Sequence, residues 1–145
     1  MLLPLKGKIQ GMEIDVLIDT SLFIAHTRQN VSRLTQAIER YKFHTPAVSV
    51  VTKFEYELGE VRAGRLPKFG SDFSDYAIVA LNDAIWRRAL YVQEVSIKAN
   101  VKMELADLLI ASTAINGNVP LLTLNFNDFA HLQTSQYHLR LPKIP

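Results

Sequence analysis

A three-layer α/β/α domain built on a central, mainly parallel sheet of four or five strands is what this sequence predicts. Three observations point there. Short apolar runs alternate along the chain with longer segments of helical periodicity. Those runs are apolar almost throughout, as in strands covered on both faces. The 145 residues, 48% hydrophobic and 21% charged, fit one domain large enough to bury its own core.

Residues 1–12 read as a short leader, and 13–145 as the domain. Ile14–Ile18 (IDVLI) is the first strand, and Asp19-Thr20-Ser21 stops it with residues that favour loops and helix caps. In VSRLTQAIERY, residues Val31, Leu34, Ile38 and Tyr41 fall at helical spacing. His44-Thr45-Pro46 breaks the chain before a second apolar strand, Ala47–Val51. A helix follows from Thr52 to about Ala63, ending near Gly64. After a loop over Leu66–Gly70, Ser71 is the expected cap of a long helix from Asp72 to Leu90. Phe73, Ala77, Ala80, Leu81, Ala84 and Ile85 would form its stripe. Tyr91–Val95 is the candidate third strand. Met103–Asn116 is an apolar helix closed by Asn116-Gly117-Asn118, Pro120–Leu124 the fourth strand, and Tyr137–Leu141 a last edge strand.

Composition excludes several classes. There is no cysteine, hence no disulfide scaffold, thiolate metal site or thiol nucleophile. No apolar run approaches a membrane span, and the first residues are too short and polar for a secretory signal, so a cytoplasmic protein is expected. The net charge of +2 permits nucleic-acid contact without requiring it. Phosphate loops, dinucleotide glycine fingerprints, metalloprotease His-Glu pairs and nucleophile elbows are absent.

Ligands of open α/β sheets sit at the carboxyl ends of the strands. There the sequence places Asp19 after the first strand, Glu55 one turn into the helix after the second, and Asn125 and Asp128 after the fourth. Asp107 opens an otherwise apolar helix. Crowded carboxylates repel, and a divalent cation relieves them. Oxygen-only donors suit Mg²⁺ or Mn²⁺, and a cation-activated water can attack a phosphodiester. Each residue also has an ordinary use. Asp19 can cap a helix, Glu55 and Glu57 can be exposed helical acids, and Asp107 can place charge at a helix N-terminus. Asn125 and Asp128 can hold a turn, and Ser49 and Thr52 can be strand-end polar groups. The histidines (His26, His44, His131, His138) lack metal-ligand spacing and read as surface or loop residues. Trp86 with Arg87-Arg88 reads as a packed helix face or a dimer contact.

Three segments carry a resemblance. VLIDTSL (Val16–Leu22) puts an acid directly after the first strand. SVVTKFEYELG (Ser49–Gly59) has a Ser-x-x-Thr-x-x-Glu pattern followed by a glycine. DLLIASTAINGNVPLLTLNFNDF (Asp107–Phe129) has Asp-x-x-Ile-Ala-x-x-Ala, then Thr-x-Asn-x-x-x-Phe. Together they resemble the PIN domain and, within it, the VapC-like toxins of type II toxin–antitoxin pairs. The resemblance implies a PIN-like α/β/α fold and a Mg²⁺- or Mn²⁺-dependent endoribonuclease. By its implication Asp19, Glu55 and Asp107 bind the metal, Asn125 and Asp128 complete the rim, and Thr52 and Thr123 orient ligands. RNA is the implied substrate, a homodimer the implied assembly, and a cognate antitoxin the implied partner, with no membrane association. Lys53, Arg62, Arg65 and Lys98 are candidate phosphate contacts. Asn125 departs from the pattern where relatives also carry Asp, and a neutral amide is a poorer ligand for a hard cation. The rival reading is a non-catalytic, degenerate PIN module that binds RNA or protein. A phosphatase using Asp19 as nucleophile would, by resemblance to that class, need a second Asp at position 21, which is Ser.

Overall fold

The computed structural model describes residues 7–28, 33–65 and 73–145. The elements are β1 (Gly7–Ile9), β2 (Met12–Ile14), β3 (Val16–Ile18), α1 (Thr20–Arg28), α2 (Arg33–Tyr41), β4 (Pro46–Ser49) and α3 (Val50–Arg62). They continue with β5 (Ala77–Val79), α4 (Asp83–Lys98), α5 (Leu105–Gly117), β6 (Leu121–Leu122) and α6 (Phe126–Gln133). Strands β3 to β6 form one parallel sheet in the order β5-β4-β3-β6. The pleat sends neighbouring residues to opposite faces. Leu17, Ala47 and Leu121 face a core completed by Ile85, Ala89 and Val92 of α4, Ile110 and Ala114 of α5, and Phe129 of α6. Val16, Ile18, Val48 and Leu122 face a second core with Leu22 and Phe23 of α1, Leu34 and Ala37 of α2, and Tyr56 of α3. Two cores on two faces of one sheet give the three layers predicted.

The apolar residues alternate between two buried faces, which is why they appear as unbroken runs in the sequence. Phe23 anchors the second core, stacked on Phe73 at 4.6 Å between ring centroids and edge-on to Tyr56 and Tyr76.

Several elements differ from the sequence prediction. The expected helix over Asp72–Leu90 and strand over Tyr91–Val95 are exchanged: β5 lies at Ala77–Val79 and α4 runs through Lys98. The run AIVAL is continuous rather than striped. Asn82 behind it accepts from the Ile85 amide (3.0 Å) and starts the helix. Buried Ile85, Ala89, Val92 and Ser96 then recur at helical spacing. Val50 and Val51 belong to α3 rather than to a strand, because the Ser49 hydroxyl accepts from the Val51 amide. Tyr137–Leu141 forms no strand. A single bond from the Leu121 amide to the Arg140 carbonyl (3.0 Å) and buried Leu139 and Leu141 cover the β6 edge instead. Val31, the Leu66–Gly70 loop, Ser71 and Asp72 lie outside the described residues.

The segment expected as a leader contributes β1, half of an antiparallel hairpin with β2 in which Ile9 pairs with Met12. Its two-residue turn has Gln10 at φ 52° and Gly11 at φ 79°, the signature of a tight hairpin turn with both central residues left-handed. The hairpin docks on the C-terminal end of α5. A Cβ on Gly7 would stand 2.3 Å from the Gly117 carbonyl oxygen, and one on Gly117 would stand 2.3 Å from Ile9 Cγ1. No helix among the described residues is long and apolar enough to cross a membrane.

Candidate active site

After β3 the chain moves outward through β4 and β5, then returns to β6 on the other side of β3. The crevice where a sheet's winding reverses, at the carboxyl ends of its strands, is where such folds place ligands. Asp19 leaves β3 there and Thr123 leaves β6, both buried. Thr123 Oγ1 donates to Asp19 Oδ2 (2.8 Å), and Ser21 Oγ donates to the same oxygen (2.7 Å). Ser21 Oγ is fixed by an amide of the other strand's exit turn, and Thr123 Oγ1 by an amide of its own. Leu124 N donates to Ser21 Oγ (3.2 Å) and Asn125 N to Thr123 Oγ1 (2.9 Å). Two of these four hydrogen bonds, Thr123 to Asp19 and Leu124 to Ser21, join the two turns, and the other two brace each turn internally.

The other oxygen of Asp19 is different. Oδ1 is buried with no hydrogen-bond partner, on a residue only 2% exposed. A buried carboxylate oxygen left unsatisfied is costly. Glu55, one turn into α3, is held by Thr20, whose hydroxyl donates to Oε1 (2.7 Å) and lies 3.0 Å from Thr52 Oγ1. Asp107, in the first turn of α5, has its carboxyl pushed up to about 6. Burial is the larger cause, followed by the negative charges of Asp19, Asp128, Glu55 and Glu104. Acids from the exit of β3, from α3, from the start of α5 and from α6 therefore act on Asp107. Among the described residues no three carboxylate or imidazole groups stand close enough to enclose a metal directly. The donor set fits a hard cation that keeps most of its water: one unsatisfied buried carboxylate oxygen, further carboxylates around it, and no sulfur.

A family model described as PIN domain matches residues 16–134. The chain belongs to the PIN domain family. Comparison with curated proteins gives no significant match. Among solved structures, this PIN domain is similar to VapBC2 from Rickettsia felis, solved bound to a DNA fragment from their promoter. The identity is 19% over 91% of this chain and 100% of that one, at a TM-score of 0.77. VapBC-1 from nontypeable Haemophilus influenzae has 15% identity over 90% and 98% of the two chains (TM-score 0.71). VapBC-5 from Mycobacterium tuberculosis has 22% identity over 90% and 98% (TM-score 0.64). The shared feature is the VapC-like PIN fold.

In this PIN domain the residues singled out from sequence divide into groups. Asp19, Glu55, Asp107 and Asp128 share one electrostatic neighbourhood. Asn125 sits at the N-terminal cap position of α6, exposed, and its side chain makes no capping bond. Ser49 caps α3. Three of the expected phosphate contacts are engaged with acids instead: Lys53 with Glu57, Arg65 with Glu60 and Lys98 with Glu94. His26 and His131 are half-buried helix residues rather than surface or loop ones, and His131 Nε2 meets the Ser96 hydroxyl at 2.8 Å. Trp86 stands 46% exposed on α4 rather than packed in the core. Thr20 and Ser21, read from sequence only as caps, bind Glu55 and Asp19. Their signal was the run of two hydroxyl residues directly behind a strand-end acid.

Proposed function

We propose that this PIN domain is a Mg²⁺- or Mn²⁺-dependent endoribonuclease of VapC type, the toxin of a toxin–antitoxin pair. The single observation that carries the reading is Asp19 Oδ1, a buried carboxylate oxygen with no partner, set among the carboxylates that act on Asp107. Asp19 and Asp107 are the residues we assign to hold the cation, with Glu55 and Asp128 contributing through water, and Asn125 at the rim. A bound divalent cation would lower the pKa of water and stabilise charge on a phosphodiester.

The chain's own residues supply the rest. Ser21 and Thr123 fix the Asp19 carboxylate through Oδ2 and leave Oδ1 without a hydrogen-bond partner. Thr20 holds Glu55 by Oε1, leaving Oε2 without a partner among the described residues and able to orient a water or accept its proton. Asp107, its carboxyl pushed up to about 6, would be held in its ionised form by a bound cation. The toxin assignment draws on the likeness to VapBC structures, and the partner it supplies is an antitoxin segment. An arginine of that segment would compete with the cation for the carboxylates.

Asn125 and the lack of a closed three-carboxylate shell favour a second reading, a degenerate module that binds RNA without cutting it. Two measurements separate the readings: Mn²⁺ titration by calorimetry, and cleavage of a labelled structured RNA pool with Mg²⁺ or Mn²⁺ against an EDTA control. The nuclease reading expects metal binding and cleavage in the native protein. It expects Asp19→Asn to lose more than about a hundred-fold in rate, beyond what outer-shell partners cost, with the melting point held. The amide oxygen of Asn can still accept the two hydroxyls. Cleavage that survives in Asp19→Asn overturns the site, and absence of both Mn²⁺ binding and cleavage establishes the degenerate module.

A further inference from the structure

A cavity of about 390 Å³ opens beside the acid cluster. Thr123, whose hydroxyl holds Asp19, forms one wall, so the cavity and the carboxylates share a residue. The floor is apolar, with Leu124 and Ile144. Phe126, the first residue of α6, adds a ring that is 46% exposed. Arg33 and Lys143, both exposed, stand around the opening. The segment carrying Lys143 and Ile144 is tied down over α2. Tyr41 Oη donates to the Lys143 carbonyl (2.8 Å) and Arg33 Nε to the terminal oxygen of Pro145 (3.1 Å).

The chemistry of the lining selects its occupant. Apolar walls with an exposed aromatic ring suit a flat, uncharged face, and two cations suit an anion attached to it. Among the described residues Lys143 has no acid partner, unlike Lys53, Arg65 and Lys98, and Arg33 meets only the terminal oxygen of Pro145 and no acidic side chain. A nucleotide combines both features, and stacking on aromatic side chains beside a basic track is how single strands are held. We propose that this cavity is a base subsite. It receives the nucleobase next to the phosphodiester at the acid cluster, with Phe126 as the stacking face and Arg33 and Lys143 on the flanking phosphates. The inference rests on the nuclease reading and adds to it a requirement for an unpaired, flipped-out base beside the cut.

The test is equilibrium binding in EDTA, where nothing is cleaved. The probes are fluorescein-labelled eight-nucleotide RNAs, oligo(A) and oligo(U), and a matched oligomer with an abasic backbone. The native chain should bind the base-bearing probes about ten-fold or more tighter than the abasic one. Phe126→Ala should remove that difference, and Phe126→Trp should restore it. Lys143→Gln leaves the backbone carbonyl in place. It should weaken all three probes alike and reduce the salt dependence of binding by about one charge. Phe126 is half exposed, so its variants are expected to melt like the native protein, which a thermal scan checks. Equal affinity of the native chain for base-bearing and abasic probes overturns the subsite. So does unchanged discrimination in Phe126→Ala, which would leave the apolar floor to a protein segment. Neither result touches the nuclease reading, which stands or falls on metal-dependent cleavage and its loss in Asp19→Asn.

Discussion

Asp107 carries a cost in the absence of a cation. Its carboxyl, pushed up to about 6, binds a proton more tightly in the folded than in the unfolded chain. Between about pH 4 and 6 the native state therefore holds more protons, and stability falls as pH rises. Above that window the cost is fully present. Asp107→Asn should flatten this slope and stabilise the metal-free protein near pH 7.5. The gain is on the order of 1 kcal/mol once solvent screening of a half-exposed group is counted. Urea unfolding in EDTA at several pH values measures it, and an unchanged slope would show that burial and the neighbouring acids do not raise the Asp107 carboxyl. At this scale the acids themselves were legible: Asp19, Glu55 and Asp107 stand at strand exits and helix starts, where topology gathers them. The hydroxyls were not, because Thr20 and Ser21 look identical whether they cap a helix or grip a carboxylate, and only the approach of β6 decides.

The hairpin on α5 depends at the element scale on two residues without side chains. Gly7→Ala puts a methyl group against the Gly117 carbonyl, which belongs to backbone and cannot turn aside. It should destabilise by about 1–3 kcal/mol and lower the melting point by several degrees. Gly11→Ala, with open space around it and φ at 79°, should cost only about 1 kcal/mol of left-handed strain. Equal effects in thermal melts would mean that the hairpin does not dock. The hairpin escaped sequence reading because β1 and β2 bury only Ile9 and Ile14 fully and so show no apolar run. Its one cue was the Gln10-Gly11 turn. The strand at Ala77–Val79 escaped for the opposite reason. A short apolar run followed by an apolar-striped helix has no change of composition at the junction, and Asn82 was the only mark. The centres of three expected strands, at Val16–Ile18, Ala47–Ser49 and Leu121–Leu122, were readable because burial on both faces of a parallel sheet leaves an unbroken apolar signature, whereas Ile14 pairs in the hairpin and Val50 and Val51 open α3.

For the whole molecule the notable surface is the groove between α4 and α5, where Trp86, Leu90 and Leu105 lie exposed around a cavity of about 370 Å³. Contiguous exposed apolar side chains of this size mark a contact surface. We propose this face, on the opposite side of the sheet from α1 and α2, for the homodimer expected from the resemblance. Leu90 is 74% exposed, so Leu90→Asp should leave the monomer's fold intact and shift sedimentation toward the monomer. A native protein that sediments as a monomer at tens of micromolar would remove this expectation.

The tie between Asp19 and Thr123 joins residues 104 positions apart, and it sets an order of events during synthesis. β3 becomes an interior strand only when β6 pairs with it, and until then its outer edge is open. A chain still emerging from the ribosome has Asp19, Ser21 and Glu55 but lacks Thr123, the second hydroxyl on Asp19, along with Asp128 and Phe126. Assembly of the crevice waits for the last fifth of the polypeptide. Premature termination before that point therefore yields a fragment without the assembled crevice, which arrives together with completion of the fold.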